Sequence, residues 1–525
     1  MSPHFSRREL LNFVAAAGGT HAVYQTSRAL GLLADSTPPA SLNLSPVGSA
    51  ARTAVVLGAG IAGLTVAYEL ERAGYGVTII EASHRVGGRN MTVRSGDVID
   101  ELGQRQVCQF DDEPNLYFNA GPARIPGHHQ RTLKYCRDLN VPLIVKANFA
   151  RNAYHQDDAS FAGRPVRLGH YVADARGFLS ELLHKAVDKN QFDQALSADD
   201  RERLLEFVTA FGDLDDSGNY AGSRRAGYAR GYQSPEEYRS PLPFDDMLGG
   251  DFWKWVYTAS ENPDWGDPLM EVPGGMDGIV QAFVRELSSP ITLNAPVQSI
   301  DVTADGVDVV FCQQGVLHQV SADYCFNSIP AHFLPGIPSN LPREYKNALA
   351  ALKPNKLMKI GLQMKRRFWE EEGIYGGTTL TSQPIGELWY PSHDIHAQKG
   401  VVIGAYTHGD GCATWSTMTP SERLRAAAEC GERIHSGYAE LVESGVSVPW
   451  ERMNHMMGCS VHWTEALRQQ HFDVLRRPVA GRHYLVGDQM SYHPTWQEGA
   501  FASAEYALLD LDKRVRSDSA VGRLA

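Results

Sequence analysis

Three glycines near residue 60 have the spacing with which a protein backbone binds the pyrophosphate of a dinucleotide. They follow the apolar run 53–57 in the pattern Gly-x-Gly-x-x-Gly, and helix-forming residues continue to Ala73. Glycines permit a tight turn and the close approach of an anion, and the N-terminus of the following helix favours negative charge. We predict a strand, a turn and a helix here. The residues predicted to contact the cofactor are Gly58, Gly60, Ile61, Ala62 and Gly63.

An acidic residue follows at the position that a dinucleotide-binding unit needs. The apolar stretch 77–80 predicts a second strand, and Glu81 closes it about 20 residues after the first glycine, where a carboxylate meets the ribose. The strand, the helix, the second strand and the acidic residue all stand where a dinucleotide-binding unit has them. A glycine loop with a purely structural role would not account for the second strand and Glu81. Glu81 and Ala82 are therefore predicted cofactor contacts, although this fingerprint does not distinguish NAD from FAD.

The composition limits which kinds of partner the chain can have. Its 525 residues predict several structural units, since domains usually span roughly 100 to 200 residues. Acidic residues number 61 against 49 basic ones, and this excess argues against a nucleic-acid partner because it repels phosphate backbones. The seven cysteines are scattered without a C-x-x-C pair, which excludes a zinc ribbon and argues against a disulfide framework. No apolar run of about 18 residues exists, so no membrane span is expected.

The N-terminal segment carries two adjacent arginines, Arg7 and Arg8, before a modest apolar stretch. This pattern is typical of a twin-arginine export signal, and an ordinary amphipathic helix is the alternative. A Thr-His pair interrupts the apolar stretch early and no cleavage site follows, so we favour a cytoplasmic protein over export to the periplasm or secretion. Residues 35–52 are rich in Ser, Pro and Ala, which predicts a linker before the folded part.

The residues after Glu81 narrow the choice of cofactor. Residues 81–89 read EASHRVGGR, and this resembles the FAD-binding segment of the flavin amine oxidase superfamily, bacterial L-amino acid oxidases in particular. A Gly-Gly turn lets the backbone approach an anion, and an adjacent arginine can donate two hydrogen bonds to it. In that family these residues lie against the pyrophosphate and ribityl chain, so the resemblance implies FAD contacts by Gly88 and Arg89.

A second stretch, near the C-terminus, is similar to the closing FAD motif of the same family. Residues 484–488 read YLVGD, and a helix opens shortly afterwards whose N-terminus suits the electron-rich edge of a flavin. Family members with covalent flavin carry a cysteine just past the Gly-Asp pair, whereas residues 489–491 read QMS, so non-covalent FAD is expected. The resemblance implies FAD contacts by Gly487, Asp488, Thr495, Trp496 and Gln497.

Further stretches resemble the substrate site of L-amino acid oxidases. Residues 117–126 look like the substrate-carboxylate loop, with Arg124 as the arginine that binds the carboxylate. Lys359 matches a lysine that assists the reaction with dioxygen. Tyr390 matches a pocket tyrosine that hydrogen-bonds the carboxylate, and Trp496 would be a second wall, although neighbouring Trp389 could occupy the pocket in place of Tyr390. The remaining FAD contacts implied by the resemblance are Gly121, Pro122, Ala123 and Arg124, and Val297 near the adenine.

The expected fold class is α/β, with a Rossmann-like FAD-binding domain, a discontinuous mixed-sheet substrate domain and a helical subdomain. The FAD-binding domain is expected to comprise 51–105, 265–350 and 450–515. The substrate domain is expected at 106–165 and 351–449, the helical subdomain at 166–264, and the N-terminal segment and linker at 1–50.

Part of the chain, 149–267, does not align with the family residue by residue, but its patterns predict local structure. Ser197 and Asp200 form a capping-box-like start to a helix that ends at Gly212, and its apolar stripe is predicted to be core. The stripe comprises Leu204, Leu205, Phe207, Val208 and Phe211. The stretch 218–238, rich in Gly, Arg and Tyr, suits either a loop that covers a pocket or a solvated surface loop. Thr419 begins another amphipathic helix, which we interpret as structural.

The resemblance implies oxidative deamination of an L-amino acid. FAD would take a hydride from the α-carbon, the imino acid would hydrolyse to a 2-oxo acid and ammonia, and dioxygen would be reduced to hydrogen peroxide. The expected partners are an L-amino acid, dioxygen and a second copy of the chain in a homodimer. An amino acid 2-monooxygenase that forms an amide and a non-catalytic FAD-binding module are the alternatives, and the preferred amino acid side chain stays open. Amine oxidases are disfavoured because their substrates have no carboxylate for Arg124.

Overall fold

The computed structural model describes residues 42–46, 52–189, 196–230, 237–250 and 259–521, with side chains up to residue 517. The arginine pair of the N-terminal segment lies outside the described residues, and so does the stretch 231–236 of the loop rich in Gly, Arg and Tyr. Among the described residues, every helix is too short or too polar to span a bilayer.

The strands are numbered β1 to β22 in chain order. They are Thr53–Leu57, Gly76–Ile80, Thr92–Val93, Val98–Glu101, Gln104–Val107, Phe118–Asn119, Ile125–Pro126, Ile144–Lys146, Tyr154–Gln156, Val166–Arg167, Leu269–Glu271, Ile291–Thr292, Val297–Val302, Val307–Gln313, Val316–Ala322, Tyr324–Asn327, Leu357–Met364, Gly377–Thr381, Glu387–Tyr390, Gly400–His408, Val442–Pro449 and His483–Leu485. The described α-helices are Ile61–Arg72, Gln130–Asp138, Leu168–Asp188, Ala198–Gly212, Phe244–Gly249, Gly278–Glu286, Arg343–Ala351, Phe368–Glu371, Cys412–Thr417, Pro420–Glu432, Tyr438–Leu441, Glu465–Leu467, Asp473–Arg476 and Gln497–Val521.

A parallel sheet of five strands, in the order β12-β2-β1-β16-β22, carries the glycine-rich turn. β1 is apolar and almost fully buried, as expected for a strand covered by helices on both faces. The helix Ile61–Arg72 packs against it closely, because a Cβ atom at Gly63 would lie 2.0 Å from the carbonyl oxygen of Gly58. The third glycine of the fingerprint therefore serves helix-on-strand packing, and the Rossmann-like part of the predicted fold is confirmed.

A mixed sheet of seven strands, in the order β10-β9-β18-β19-β20-β17-β21, forms the second layer. Its strands come from two separate parts of the chain, 154–167 and 357–449, which confirms the discontinuous mixed sheet. Side chains alternate along β17: Met358 and Ile360 enter the hydrophobic core of this sheet, whereas Lys359 faces the other side. The alternation thus points the Lys359 side chain into the space between the mixed sheet and the parallel sheet.

The helical part contains the predicted helix, but only part of its apolar stripe is buried. Ala198–Gly212 begins where the Ser197 side chain accepts a hydrogen bond from the Asp200 backbone, as predicted. Phe207 and Phe211 are 59% and 47% exposed, and their rings stack on each other at 5.5 Å, whereas Val208 is buried. The prediction was wrong for these two phenylalanines, because the helix is covered mainly on the face of Val208 and the half-buried Leu204 and Leu205, about 100° around the axis from Phe207.

Two other local predictions can be compared with the structure. Pro420–Glu432 begins with a complete capping box between Thr419 and Glu422, as expected for a structural helix. In the loop rich in Gly, Arg and Tyr, the Tyr220 hydroxyl donates a hydrogen bond to Asp174 at 2.6 Å, so this part packs on the helix Leu168–Asp188. The seven cysteines are free thiols.

Candidate active site

A cavity of about 470 Å³ runs between the parallel sheet and the mixed sheet. One end is formed by the glycine-rich turn and the ends of β1 and β2, and the other by side chains of β17, β19 and β20. Its position at the carboxyl ends of parallel strands is the usual ligand site of an open α/β sheet. Of the site residues predicted from the sequence, all but two line this cavity, and the exceptions are Gly63 and Tyr390.

The nucleotide end of the cavity is preorganised by backbone hydrogen bonds to Glu81. The Glu81 carboxylate accepts from the backbone N–H of Ala59 at 2.7 Å and from that of Ser83 at 2.8 Å. These bonds hold the carboxylate at the carboxyl end of β2 beside the turn. Gly58 has a φ of +99°, a conformation that favours glycine and lets the backbone approach a ligand. The arrangement fits a dinucleotide, with Glu81 placed for a ribose.

An ion pair joins the two predicted cofactor motifs from opposite ends of the chain. Both guanidinium nitrogens of Arg89 donate to Asp488, at 2.5 and 3.2 Å. Asp488 also accepts from the hydroxyl of Ser460 and from the backbone N–H of Thr495, each at 2.8 Å. Asp488 therefore orients Arg89 and also fixes the segment that leads into the last helix. Gly88, with a φ of +55°, brings the backbone next to this pair at the cavity wall.

Lys359 is a buried amine at the opposite end of the cavity. It is only 3% exposed, and its Nζ donates to the carbonyl oxygen of Gly121 at 2.5 Å and weakly to that of Asn119 at 3.4 Å. Burial, together with the positive charge of Arg124, lowers the pKa of Lys359 to about 7. Lys359 can therefore change its protonation state near neutral pH, whereas an exposed lysine, with a pKa of about 10.4, stays protonated there.

Arg124 is a buried guanidinium surrounded by tryptophan rings. It is 6% exposed, and its guanidinium carbon lies 4.0 Å from the ring centre of Trp265, 4.9 Å from that of Trp389 and 5.2 Å from that of Trp496. Its Nε makes a weak hydrogen bond to the carbonyl oxygen of Asp264 at 3.4 Å. Within the described ranges no carboxylate forms an ion pair with Arg124. Burial lowers the pKa of Arg124, and the carboxylates of Glu387 and Asp264, which lie beyond ion-pair distance, offset this effect only in part.

The prediction that Tyr390 lines the pocket was wrong. Its hydroxyl is hydrogen-bonded to Thr379 at 2.8 Å and to His435 at 2.6 Å, on the core face of the mixed sheet. Neighbouring residues of a strand point to opposite faces, so it is Trp389 of β19 that lines the cavity. Tyr406 of β20 supplies a cavity tyrosine instead, with its ring 5.3 Å from that of Trp389.

Sequence reasoning missed several residues of the cavity wall. Trp265 lies in the stretch that could not be aligned, and its position over Arg124 depends on the fold of the chain around 259–268. Tyr406 is paired directly with Lys359 in the register of β17 and β20, and paired residues on neighbouring strands point to the same face. The alternation along β20 could therefore have identified it as a cavity residue. Cys459 also lines the cavity, about 30 residues before the stretch 489–491 in which covalent family members carry their flavin-linked cysteine. Burial raises the pKa of its thiol to about 11, so it is a weak nucleophile at neutral pH.

Comparisons with known proteins agree with this arrangement. The profile of the family described as "Flavin containing amine oxidoreductase" matches residues 61–507. An L-amino-acid oxidase of Siganus canaliculatus is 28% identical over 480 residues, which cover 88% of this chain and 85% of that protein. An L-amino-acid oxidase of Notechis scutatus scutatus is 26% identical over 488 residues, covering 89% and 87%. The structure of cyclohexylamine oxidase from Brevibacterium oxydans IH-35A superposes with a TM-score of 0.60 at 15% identity, covering 89% of this chain and 100% of that one, which shows a shared fold.

Proposed function

The chain belongs to the flavin-containing amine oxidoreductases, and from this premise we propose that it oxidises L-amino acids to 2-oxo acids, releasing ammonia and hydrogen peroxide. Its cofactor is FAD. The L-amino-acid oxidases with which it shares 26 to 28% identity support this substrate class over simple amines. If the substrate is an amino acid, the cavity must contain a group that binds its carboxylate.

The observation that carries the proposal is the unpaired cation Arg124 at the inner end of the cavity. A buried charge without a counter-ion is costly, and an anionic ligand that enters the cavity removes this cost. A planar guanidinium matches a carboxylate in two-point geometry. An amino acid offers that carboxylate, whereas an amine such as cyclohexylamine does not.

The side chains around Arg124 also suit the reacting end of such a substrate. When bound, FAD supplies the hydride acceptor and returns the electrons to dioxygen. The rings of Trp389, Trp496 and Tyr406 line the cavity and give this end of it an aromatic wall. A dry aromatic environment disfavours the ammonium form of the substrate, and the free amine is the form whose α-hydrogen can leave as hydride. Arg124 fixes the carboxylate and thereby sets which α-hydrogen is presented.

The experiment that tests the proposal incubates the purified holoprotein with each of the twenty L-amino acids and with their decarboxylated amines. Peroxide, 2-oxo acid and amide are measured together in each reaction. We expect peroxide and 2-oxo acid in equal amounts from one or more L-amino acids. Turnover restricted to amines would contradict the proposal, amide as the main product would indicate a monooxygenase, and no bleaching of the flavin by any amino acid would indicate a binding module.

Lys359→Met is expected to slow the reaction of the reduced enzyme with dioxygen by roughly a hundredfold, with substrate oxidation changed only a few fold. Electron transfer to dioxygen builds negative charge, and loss of one preorganised donor at such a charge costs about 10²–10³-fold. Because the pKa of Lys359 is lowered to about 7, the wild-type oxygen reaction is expected to be faster below pH 7 and to slow as pH rises through 7. Stopped-flow spectroscopy of both half-reactions between pH 5.5 and 9 measures this.

A matched control for this variant is Lys365→Met, which changes an exposed lysine just beyond β17 that donates to the carbonyl of Glu440. It should leave both half-reactions and their pH dependence unchanged. Equal losses in the two half-reactions of Lys359→Met, or an unaltered pH profile, would remove the proposed role of Lys359.

The flavin is expected to dissociate from the protein on denaturation. Residues 489–491 offer no cysteine, and the Cys459 thiol is held neutral by burial, so neither position favours a covalent bond to FAD. Acid precipitation should leave all yellow colour in the supernatant, for the wild type and for Cys459→Ala alike. Colour that stays in the wild-type pellet and leaves it in Cys459→Ala would instead identify a thioether at Cys459.

A further inference from the structure

Three histidines and one aspartate come together at the rim of the cavity. His128 and His129 precede the helix Gln130–Asp138, Asp264 lies in the segment 259–268, and His493 lies just before the last helix. One potential ligand atom from each residue lies within 4.8 Å of all the others. We call these four residues the His–Asp cluster. None of the four is a predicted FAD contact, although His129 lines the active-site cavity and His493 lies two residues before Thr495.

The geometry within the His–Asp cluster is close to that of a metal site. The Nε2 atoms of His128 and His129 lie 2.9 and 3.0 Å from the same oxygen, Oδ1 of Asp264. The ring of His493 lies 5.9 Å from that of His129, centre to centre. Around a tetrahedral ion with bonds of about 2.0–2.2 Å, neighbouring ligand atoms are about 3.3–3.6 Å apart. The two nitrogen–oxygen separations are slightly shorter than this and none of the others exceeds 4.8 Å, so the four ligand atoms already lie around a common point.

The chemistry of the donor set selects the class of ion. Imidazole nitrogens combined with one carboxylate oxygen suit zinc and other first-row divalent ions, whereas magnesium and calcium prefer sites made only of oxygen atoms. Three imidazole nitrogens and one carboxylate oxygen also make a set of four ligands, the number that zinc takes in structural sites.

The cluster is accessible from solvent and connected to the active site. His128 is 45% exposed in its side chain, so an ion can reach the cluster from outside. On the inner side the ring of His129 meets that of Trp496 edge-on at 5.0 Å. The residue after Asp264 is Trp265, which covers Arg124, and the backbone oxygen of Asp264 accepts from Arg124. An ion in the cluster would therefore tie together three segments that enclose Arg124.

We infer that the His–Asp cluster binds one divalent transition-metal ion of the zinc class, which clamps the 127–129, 259–268 and 491–496 segments together at the rim of the cavity. The site uses residues from three distant parts of the chain, and none of the four is among the predicted FAD contacts.

The test uses the FAD-loaded protein, freed of metal by dialysis against a chelator and carrying no histidine tag. Isothermal titration with zinc chloride is expected to give one site per chain with a dissociation constant in the micromolar range or below. His493→Gln and Asp264→Asn should each weaken zinc binding by at least about tenfold, since even outer-shell changes typically cost 10–100-fold. His493 is exposed, so its variant should keep the fold, and magnesium should not bind.

The matched control is His318→Gln, which removes an exposed histidine on β15, away from the cavity. It should bind zinc as the wild type does. Quenching of tryptophan fluorescence by nickel is a second readout, because Trp265 and Trp496 adjoin the cluster, and His493→Gln should reduce that quenching. Zinc affinity that is equal in wild type, His493→Gln and Asp264→Asn, or the absence of a saturable site, would overturn the inference and leave a hydrogen-bonded cluster only. Both readouts are independent of turnover, so they stand whether or not amino acids are the substrates.

Discussion

Arg124→Met is expected to lower kcat/KM for L-amino acids by roughly thirtyfold to a few thousandfold. Removing one member of a desolvated charge pair costs about 2–5 kcal/mol, and each 1.4 kcal/mol corresponds to about a factor of ten. The buried position of Arg124 among three tryptophans places this loss at the upper part of what a carboxylate contact can give. Steady-state oxygen consumption and stopped-flow reduction measure it.

Assays of Arg124→Met with substrates that lack a carboxylate test whether the loss of kcat/KM comes from the carboxylate contact. Amino acid amides and decarboxylated amines have no carboxylate for Arg124, so their kcat/KM should change little between wild type and Arg124→Met. The control variant is Arg482→Met, because Arg482 also lies over an aromatic ring, that of Tyr324 at 5.2 Å, but outside the cavity. Equal losses for amines and amino acids would make Arg124 a structural residue and would withdraw amino acids as the substrate class.

Asp488→Ala is expected to raise the dissociation constant of FAD by roughly thirtyfold to a thousandfold. Breaking a buried ion pair by removing one partner costs about 3–5 kcal/mol, and because Arg89 is 28% exposed we expect about 2–4 kcal/mol here. Asp488 also holds Ser460 and the backbone of Thr495, so the segment before the last helix loses its anchor as well. Titration of the apoprotein with FAD, followed by flavin fluorescence, measures the change.

The control for that prediction is Asp510→Ala on the last helix. Asp510 forms an i,i+4 ion pair with Arg514, whose side chain is 47% exposed, and such surface pairs contribute little. It should bind FAD as the wild type does. Thermal unfolding of both apoproteins separates loss of the cofactor site from loss of the fold. FAD affinity that is unchanged in Asp488→Ala would mean that Arg89 does not depend on its partner to face the cofactor.

Arg124 and Lys359 lie close together at the inner end of the cavity, and the charge of one affects the pKa of the other. The positive charge of Arg124 is one of the causes that lower the pKa of Lys359, after burial. A carboxylate bound by Arg124 would offset that positive charge, so substrate binding is expected to favour protonation of Lys359. Recognition of the substrate and the protonation of Lys359 are in this way linked through a single guanidinium.

Local patterns were sufficient for the parts of the site that bind a nucleotide. The glycine fingerprint, Glu81 and the Gly-Gly-Arg turn are each continuous in sequence, and their function depends on backbone conformation within a few residues. The cap at Ser197 and the start of the helix after Thr419 were predictable for the same reason. Short-range hydrogen bonds and the steric freedom of glycine act at this scale.

Several predictions about which face of a strand or helix is buried were wrong. Tyr390 and Trp389 differ by one residue on β19, and only the packing of that strand between its neighbours decided which of them enters the cavity. Phe207 and Phe211 form an apolar stripe, but the helix packs through an adjacent face. A sequence specifies that such residues are apolar or aromatic, whereas burial depends on partners that are distant along the chain.

The sequence by itself determined the family, the FAD cofactor, the α/β class and nearly half of the residues that line the cavity, because these follow from short motifs with strict local geometry. The tertiary structure decided that Asp488 pairs with Arg89, that Trp265 closes over Arg124, and that His128, His129, Asp264 and His493 meet at the rim. Each of these contacts joins segments more than a hundred residues apart. Their distances depend on strand pairing and packing between distant segments, which no local pattern encodes.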